Sequence, residues 1–186
     1  MVRISSTDKK IVRGWYEDKT NTTGQLLSTH VIEVAECLAE LLSDEKGISL
    51  DQKMDLIHAA LGHDLFEDTG VQPENVEKRW GRIAVHYIHE LTNVKGDGDF
   101  DEYIESLKVA VEEVRLLKLA DIIVNIENSI NIIATIDRSW LSTFWLPLIE
   151  RYRESFFSIP WELYPVVGQT MVSRAINAHE KLKLLV

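Results

Sequence analysis

The chain has 186 residues, enough for about one domain at roughly 150 residues per domain. With 20 Lys+Arg against 30 Asp+Glu the formal net charge is −10, which argues against a general nucleic-acid coat built on a net basic face. Cys37 is the one cysteine, so no intrachain disulfide forms, and 45% hydrophobic with 27% charged residues is the profile of a folded globule rather than an acidic tail.

The opening residues, MVRISSTDKK, lack the apolar core of a signal peptide. No apolar run reaches the roughly 18 residues of a membrane span. The expectation is a cytoplasmic protein in a reducing compartment, with no membrane partner. No Ser/Gly/Pro-rich linker and no internal repeat interrupts the chain, so residues 1–186 are expected to form a single domain.

Apolar spacing is helical almost throughout. Over 28–43, Val31, Val34, Ala35, Leu38, Leu41 and Leu42 make one buried stripe between glutamates. Ser49 or Asp51 caps the next helix, which carries Met54, Ile57, Leu61 and Leu65 on its apolar face and ends by Gly70. Pro73 opens a short helix through Trp80, Gly81 breaks it, and helical spacing resumes over 83–91. Residues 94–101, VKGDGDFD, read as a solvated acidic loop; its resemblance to a calcium loop fails at Glu102 and Lys108. A long helical stretch runs from 103 towards 136, with a break near 112–113. Two more helices are expected, near 143–156 and 161–182. Strand alternation is nowhere convincing. The expected fold is all-α, a packed helical domain of about eight helices.

The densest ionisable cluster is His63-Asp64-Leu65-Phe66-Glu67-Asp68. On a continuous helix Glu67 lies one turn beyond both His63 and Asp64, and Asp68 one turn beyond Asp64. Like charges crowded at one helix end cost stability unless a cation compensates them. Farther along, Asp121 and Asn125 are four apart on an otherwise apolar helix, where a carboxylate requires a partner. His30 stands at the head of the first amphipathic helix. His30, His63, Asp64 and Asp121 would together offer two imidazoles and two carboxylates to one divalent ion. That mixed set suits Mn²⁺, Fe²⁺, Co²⁺ or Zn²⁺ better than Ca²⁺. Glu67 and Asp68 would orient or deprotonate water beside it.

These residues carry a family resemblance. The order His30 … His63-Asp64 … Asp121 resembles the signature of the HD-domain metal-dependent phosphohydrolases, and more narrowly the hydrolase domain of RelA/SpoT-type proteins and the small alarmone hydrolases. HVIEVAECL resembles that family's metal-histidine helix, AALGHDLFEDT its His-Asp … Glu-Asp motif, and LLKLADIIVNI its Lys-Leu-Ala-Asp … Asn motif. ENVEKRWGRIAVHYIHELTNV matches its aromatic-Gly segment and the amphipathic helix that follows. The similarity covers roughly residues 20–130. It implies an all-α HD domain with one metal ion, usually Mn²⁺, on His30, His63, Asp64 and Asp121. It implies Glu67 and Asp68 as the catalytic acids and Asn125 as a nucleotide contact. The implied substrate is guanosine tetra- or pentaphosphate, cleaved at the 3′-pyrophosphate. The chain departs from the pattern before the first histidine, where Asn21 and Thr22 occupy the place of an Arg-Lys pair. Ile122 and Glu127 also stand where basic residues are usual.

Two rival readings keep other functions open. One is a nucleotidase releasing orthophosphate from a nucleotide or dinucleotide with the same metal set. The other is a non-catalytic nucleotide sensor. Outside the cluster, His58, His86 and His89 read as packing or solvated groups, and His179 as a surface residue. Lys118, one turn before Asp121, reads as the partner of an acid or as a group that approaches phosphate. The aromatic tail Trp140, Phe144, Trp145, Phe156, Phe157 and Trp161 reads as core, with a homo-oligomer interface next.

Overall fold

A computed structural model describes residues 2–93 and 100–186. The described residues are helical, with one isolated bridge between Thr20 and Leu26 and no strand among them. The chain divides into two compact units, Met1–Gly98 and Asp99–Val186. Most of the acidic loop read at 94–101 lies outside the described residues.

The first unit holds six helices: α1 (Ser6–Tyr16), α2 (Leu27–Leu42), α3 (Leu50–Gly62), α4 (Leu65–Asp68), α5 (Pro73–Trp80) and α6 (Arg82–Leu91). Helix α1 was not legible from periodicity. Ser5 caps it, and the buried Asp8 on its first turn binds across the unit. Asp8 accepts from the Ser5 hydroxyl at 2.5 Å, from Arg79 Nη2 at 2.9 Å and from Trp80 Nε1 at 3.1 Å, which ties α1 to α5. Burial pushes the Asp8 carboxyl up, but the hydrogen bonds from Ser5, Trp80 and Arg79 outweigh it and hold the group below its ordinary value. His58 stacks on Trp80 with ring centroids 5.4 Å apart, a packing role as expected.

Helix α2 buries Val31, Val34, Ala35, Leu38 and Leu42 and packs along α3. Ser49 and Gln52 form a reciprocal capping box at the start of α3. The helix read as continuous through Leu65 instead stops at Gly62. Asp64, at φ −99° and ψ 1°, leaves the helical region, and α4 restarts one residue later. Gly62 has a packing reason: a Cβ there would meet Ile88 Cδ1 at 2.6 Å, Leu65 Cδ1 at 3.1 Å and Trp80 Cζ3 at 3.2 Å. The close approach of α3 and α6 at this point sets the chain's exit just before His63.

The second unit holds α7 (Phe100–Val109), α8 (Glu112–Asn131), α9 (Arg138–Trp140), a π-helical turn (Leu141–Trp145), α10 (Leu146–Ser155) and α11 (Pro165–Lys183). Helix α8 is its axis, with Val114, Leu116, Leu117, Leu119, Ala120, Ile122, Ile123 and Ile126 all buried. Helix α11 packs along it, and Arg174 donates to both oxygens of Glu127 at 2.8 Å. The last helix begins at Pro165 rather than 161. Residues ahead of it are taken by Glu112, whose carboxylate accepts from the backbone N–H groups of Glu162, Leu163 and Tyr164 at 2.5, 3.1 and 2.9 Å. His179, expected at the surface, is wholly buried, because α11 turns that face toward the unit's interior. No described helix is long and apolar enough to cross a membrane.

Candidate metal centre

Three of the residues singled out in the sequence meet in the first unit. The ligand atoms of His30, His63 and Asp64 lie within 4.8 Å of one another. His30 comes from the first turn of α2, where the apolar stripe turns it inward, and is 3% exposed. His63 and Asp64 come from the corner between α3 and α4. The two imidazoles stand edge to face, with centroids 5.4 Å apart, and His63 Nε2 is 3.3 Å from Asp64 Oδ1.

The tautomer of His63 follows from its neighbour. Its Nδ1 is 2.8 Å from the carbonyl oxygen of Ala60. A carbonyl only accepts, so Nδ1 carries a proton, which leaves Nε2, on the Asp64 side, as the nitrogen that can bind a metal. This backbone partner orients the ring as outer partners of metal-bound histidines do. Two imidazole nitrogens and a carboxylate oxygen converging this closely match a first-row divalent ion, whose bonds run about 2.0–2.2 Å. The cluster can hold a metal.

Glu67 and Asp68 follow on α4, both half-buried. The interruption at Asp64 replaces the continuous helix expected there, yet the backbone bond from Asp68 N to Asp64 O, 3.0 Å, keeps the two motifs in one turn. Glu67 Oε1 accepts from the Asn93 N–H at 2.7 Å, which fixes that carboxylate beyond what its own short helix provides. Thr69 closes the corner: its hydroxyl donates to Leu65 O at 2.7 Å and accepts from Val71 N at 3.1 Å.

Asp121 and Asn125 lie in the second unit, on α8. Asp121 is 8% exposed and both its oxygens are engaged there. Lys118 Nζ donates to Oδ2 at 2.9 Å and Asn125 Nδ2 to Oδ1 at 2.6 Å. The Lys118 ammonium also faces the rings of Tyr103 and Tyr152, at 5.5 and 5.8 Å. Burial would lower the Lys118 pKa, but Asp121 and the two tyrosines hold it well above the ordinary lysine value. Lys118 is therefore the partner of an acid, as its spacing suggested.

Sequence reasoning missed Tyr16. It is the last residue of α1, fully buried, and α1 packs against α4. Burial raises its phenol well above the ordinary value, the charges of Asp64, Asp68 and Glu67 push it further up, and the Asp64 backbone N–H opposes them. The apolar pair Val12 and Tyr16, four apart after a Ser5 cap, was the signal that would have placed it on a buried helix face.

Comparison with known proteins sharpens the reading. The chain is 25% identical over 120 residues to the bifunctional (p)ppGpp synthase/hydrolase SpoT of Escherichia coli strain K12, a stretch covering 60% of this chain and 16% of that protein. The guanosine-3′,5′-bis(diphosphate) 3′-pyrophosphohydrolase of Escherichia coli O157:H7 matches at the same identity and over the same shares. The chain thus spans about a sixth of the length of these relatives. Its structure superposes on that of a metazoan ortholog of SpoT, described as hydrolysing ppGpp and acting in starvation responses, with a TM-score of 0.58 and 21% identity, over 100% of this chain and 96% of the other. The chain shares the fold of this metazoan SpoT ortholog. No family model matches the chain. The all-α architecture read from periodicity is borne out, and the SpoT-type fold agrees with the resemblance carried by the His-Asp and Lys-Leu-Ala-Asp segments.

Proposed function

We propose that this chain is a metal-dependent phosphohydrolase that cleaves the 3′-pyrophosphate of guanosine 3′,5′-bis(diphosphate) or a closely related alarmone. The observation that carries the proposal is the convergence of His30, His63 and Asp64 within 4.8 Å, followed on α4 by the acidic pair Glu67 and Asp68. Mn²⁺ is the proposed ion. Asp121 is proposed as the fourth ligand and Asn125 as a nucleotide contact, on the motif pattern alone. The chain is likewise proposed to work as a single hydrolase domain over 1–186.

A divalent ion, when bound, supplies positive charge opposite phosphate oxygens and makes a bound water more acidic. His30 and His63 would hold it as neutral nitrogen donors, with the His63 tautomer fixed by Ala60. Glu67 and Asp68 supply the proton chemistry. One takes up the proton of the attacking water and the other orients that water toward phosphorus. Water adds to the phosphorus joined to the 3′-oxygen, that P–O bond breaks, and the 3′-oxygen leaves with a proton. The products are GDP and pyrophosphate.

One observation favours a second reading, a nucleotidase that releases orthophosphate. In the loop before α2, the place of the family's basic pair is held by Asn21 and Thr22. The Asn21 side-chain oxygen is used inside the loop, accepting from Thr23 N at 3.0 Å, the Thr23 hydroxyl at 2.7 Å and Gln25 N at 3.0 Å. Neither position offers a cationic donor to phosphate. Incubation of the full chain with ppGpp and with a panel of nucleoside mono-, di- and triphosphates and dinucleotides in Mn²⁺ separates the readings. Pyrophosphate from ppGpp supports the first, and orthophosphate from another nucleotide with none from ppGpp supports the second.

A further inference from the structure

Glu67 is held by a donor from outside its own helix. Its Oε1 accepts from the main-chain N–H of Asn93 at 2.7 Å, the length of a charge-assisted bond. Helix α4 has only four residues, and none of them lies three or four places from Glu67, where helical neighbours would steady its side chain. The donor is available because of how α6 ends. At glycine-terminated helix ends the N–H of the residue after the cap returns to a helix carbonyl. Here Thr92 leaves α6 extended, at φ −67° and ψ 116°. The Thr92 N–H and hydroxyl both donate to the Ile88 carbonyl oxygen, at 3.0 and 2.8 Å. The Asn93 N–H is thereby directed off α6 and onto α4. The preceding residue of α4, Phe66, sets its ring against His89 with centroids 4.6 Å apart. Consecutive residues of α4 are thus held from the last turn of α6 and its exit, one through a side chain and one through the main chain.

We propose that the main-chain N–H of Asn93 is a positioning group of the hydrolytic site, setting the orientation of the Glu67 carboxylate toward the attacking water while touching neither the water nor the metal. The inference rests on the reading of Glu67 as one of the two catalytic acids. A carboxylate that acts on water must keep an oxygen within about 2.6–3.2 Å of it. Glutamate is long and flexible, and ordering it only when substrate arrives carries an entropic cost. A bond from the end of a neighbouring helix orders it beforehand. A misplacement of about 1 Å at such a group costs about 10²-fold in rate. The requirement falls on the peptide group, so a residue that keeps the N–H at position 93 meets it and proline does not.

The test measures kcat, KM and Mn²⁺ affinity on the full chain, with the nucleotide that the wild type hydrolyses. The proteins are wild type, Asn93→Ala, Asn93→Pro, Glu67→Ala and the double variant Asn93→Pro/Glu67→Ala. Thr92 already has the extended backbone that a following proline requires. Asn93→Pro is expected to lower kcat about 10–100-fold with KM and Mn²⁺ affinity unaltered. Asn93→Ala keeps the donor, and its kcat should stay at least about tenfold above that of Asn93→Pro. In the Glu67→Ala background proline should cost less than about threefold, because the group it acts through is gone. If Asn93→Pro loses helical content, the ester at position 93, which replaces the peptide N–H by oxygen, is read in its place. Wild-type kcat in Asn93→Pro, or an equal fall in Asn93→Ala, overturns the inference and leaves the hydrolase reading standing. So does a loss that excess Mn²⁺ restores, or an undiminished loss in the Glu67→Ala background. No turnover of any nucleotide by the wild type overturns the hydrolase reading and this inference with it.

Discussion

Replacing Gly62 by alanine probes the packing that sets the His63–Asp64 corner. The new Cβ would sit 2.6 Å from Ile88 Cδ1, 3.1 Å from Leu65 Cδ1 and 3.2 Å from Trp80 Cζ3. Ile88 and Leu65 are wholly buried and Trp80 is 5% exposed, so none can swing into solvent. Overpacking of this kind costs about 1–3 kcal/mol. Alanine regains up to about 1 kcal/mol of helix propensity, less at the last residue of a helix. The clash wins, with a net loss of about 1–2 kcal/mol, or a melting temperature lower by roughly 2–8 °C at this chain length. The cause can be isolated. Ile88→Val removes the Cδ1 atom that meets the new methyl and alone costs about 0.5–1.5 kcal/mol. In the double variant Gly62→Ala/Ile88→Val the combined loss should be smaller than the sum of the single losses by more than about 0.5 kcal/mol. Thermal and urea unfolding of the four proteins measure this. Strict additivity, or a Gly62→Ala protein more stable than wild type, would refute the reasoning.

Four further outcomes are expected. Asp8 has its carboxyl held below the ordinary value, so its stabilisation is complete above the unfolded carboxyl pKa and is lost as pH falls through the lower folded value, below about pH 4. Asp8→Asn should remove about 2 kcal/mol at pH 7 and flatten the fall in melting temperature between pH 5 and 2.5; parallel curves for the two proteins would count against the role given to Asp8. Glu112→Gln leaves one amide group facing backbone donors where a carboxylate accepted three, and should cost about 2–3 kcal/mol in urea unfolding. Glu67→Gln and Asp68→Asn should each lower kcat about 10²–10⁴-fold with Mn²⁺ affinity retained, as read by single-turnover kinetics and metal titration. His30→Ala should abolish Mn²⁺ binding while circular dichroism shows the helical content intact.

Much of the fold was legible because helical periodicity is a local signal. The stripe of α2, the Ser49 cap, the Pro73 start and the Gly81 break all appear where the residues put them. What was not legible depended on partners distant in sequence. Asp8 reads as an ordinary first-turn acid until Arg79 and Trp80 arrive. Residues 161–164 read as helix, but Glu112 takes their N–H groups. The break at Asp64 is invisible in the spacing, because a one-residue departure into the bridge region leaves the i, i+4 pattern in place. At the site, residue type and order singled out His30, His63 and Asp64, since few other arrangements justify an acidic cluster beside histidines. Tyr16 escaped because a lone aromatic on an amphipathic face carries no chemical signature until the fold sets it against Asp64.

The most direct test is turnover of ppGpp by the full chain across a Mn²⁺ titration, following GDP and pyrophosphate, with Asp64→Ala alongside. The account predicts stoichiometric GDP and pyrophosphate whose rate rises and saturates with Mn²⁺, and no turnover by Asp64→Ala at any metal concentration. Turnover that is indifferent to Mn²⁺ or persists in Asp64→Ala would contradict it.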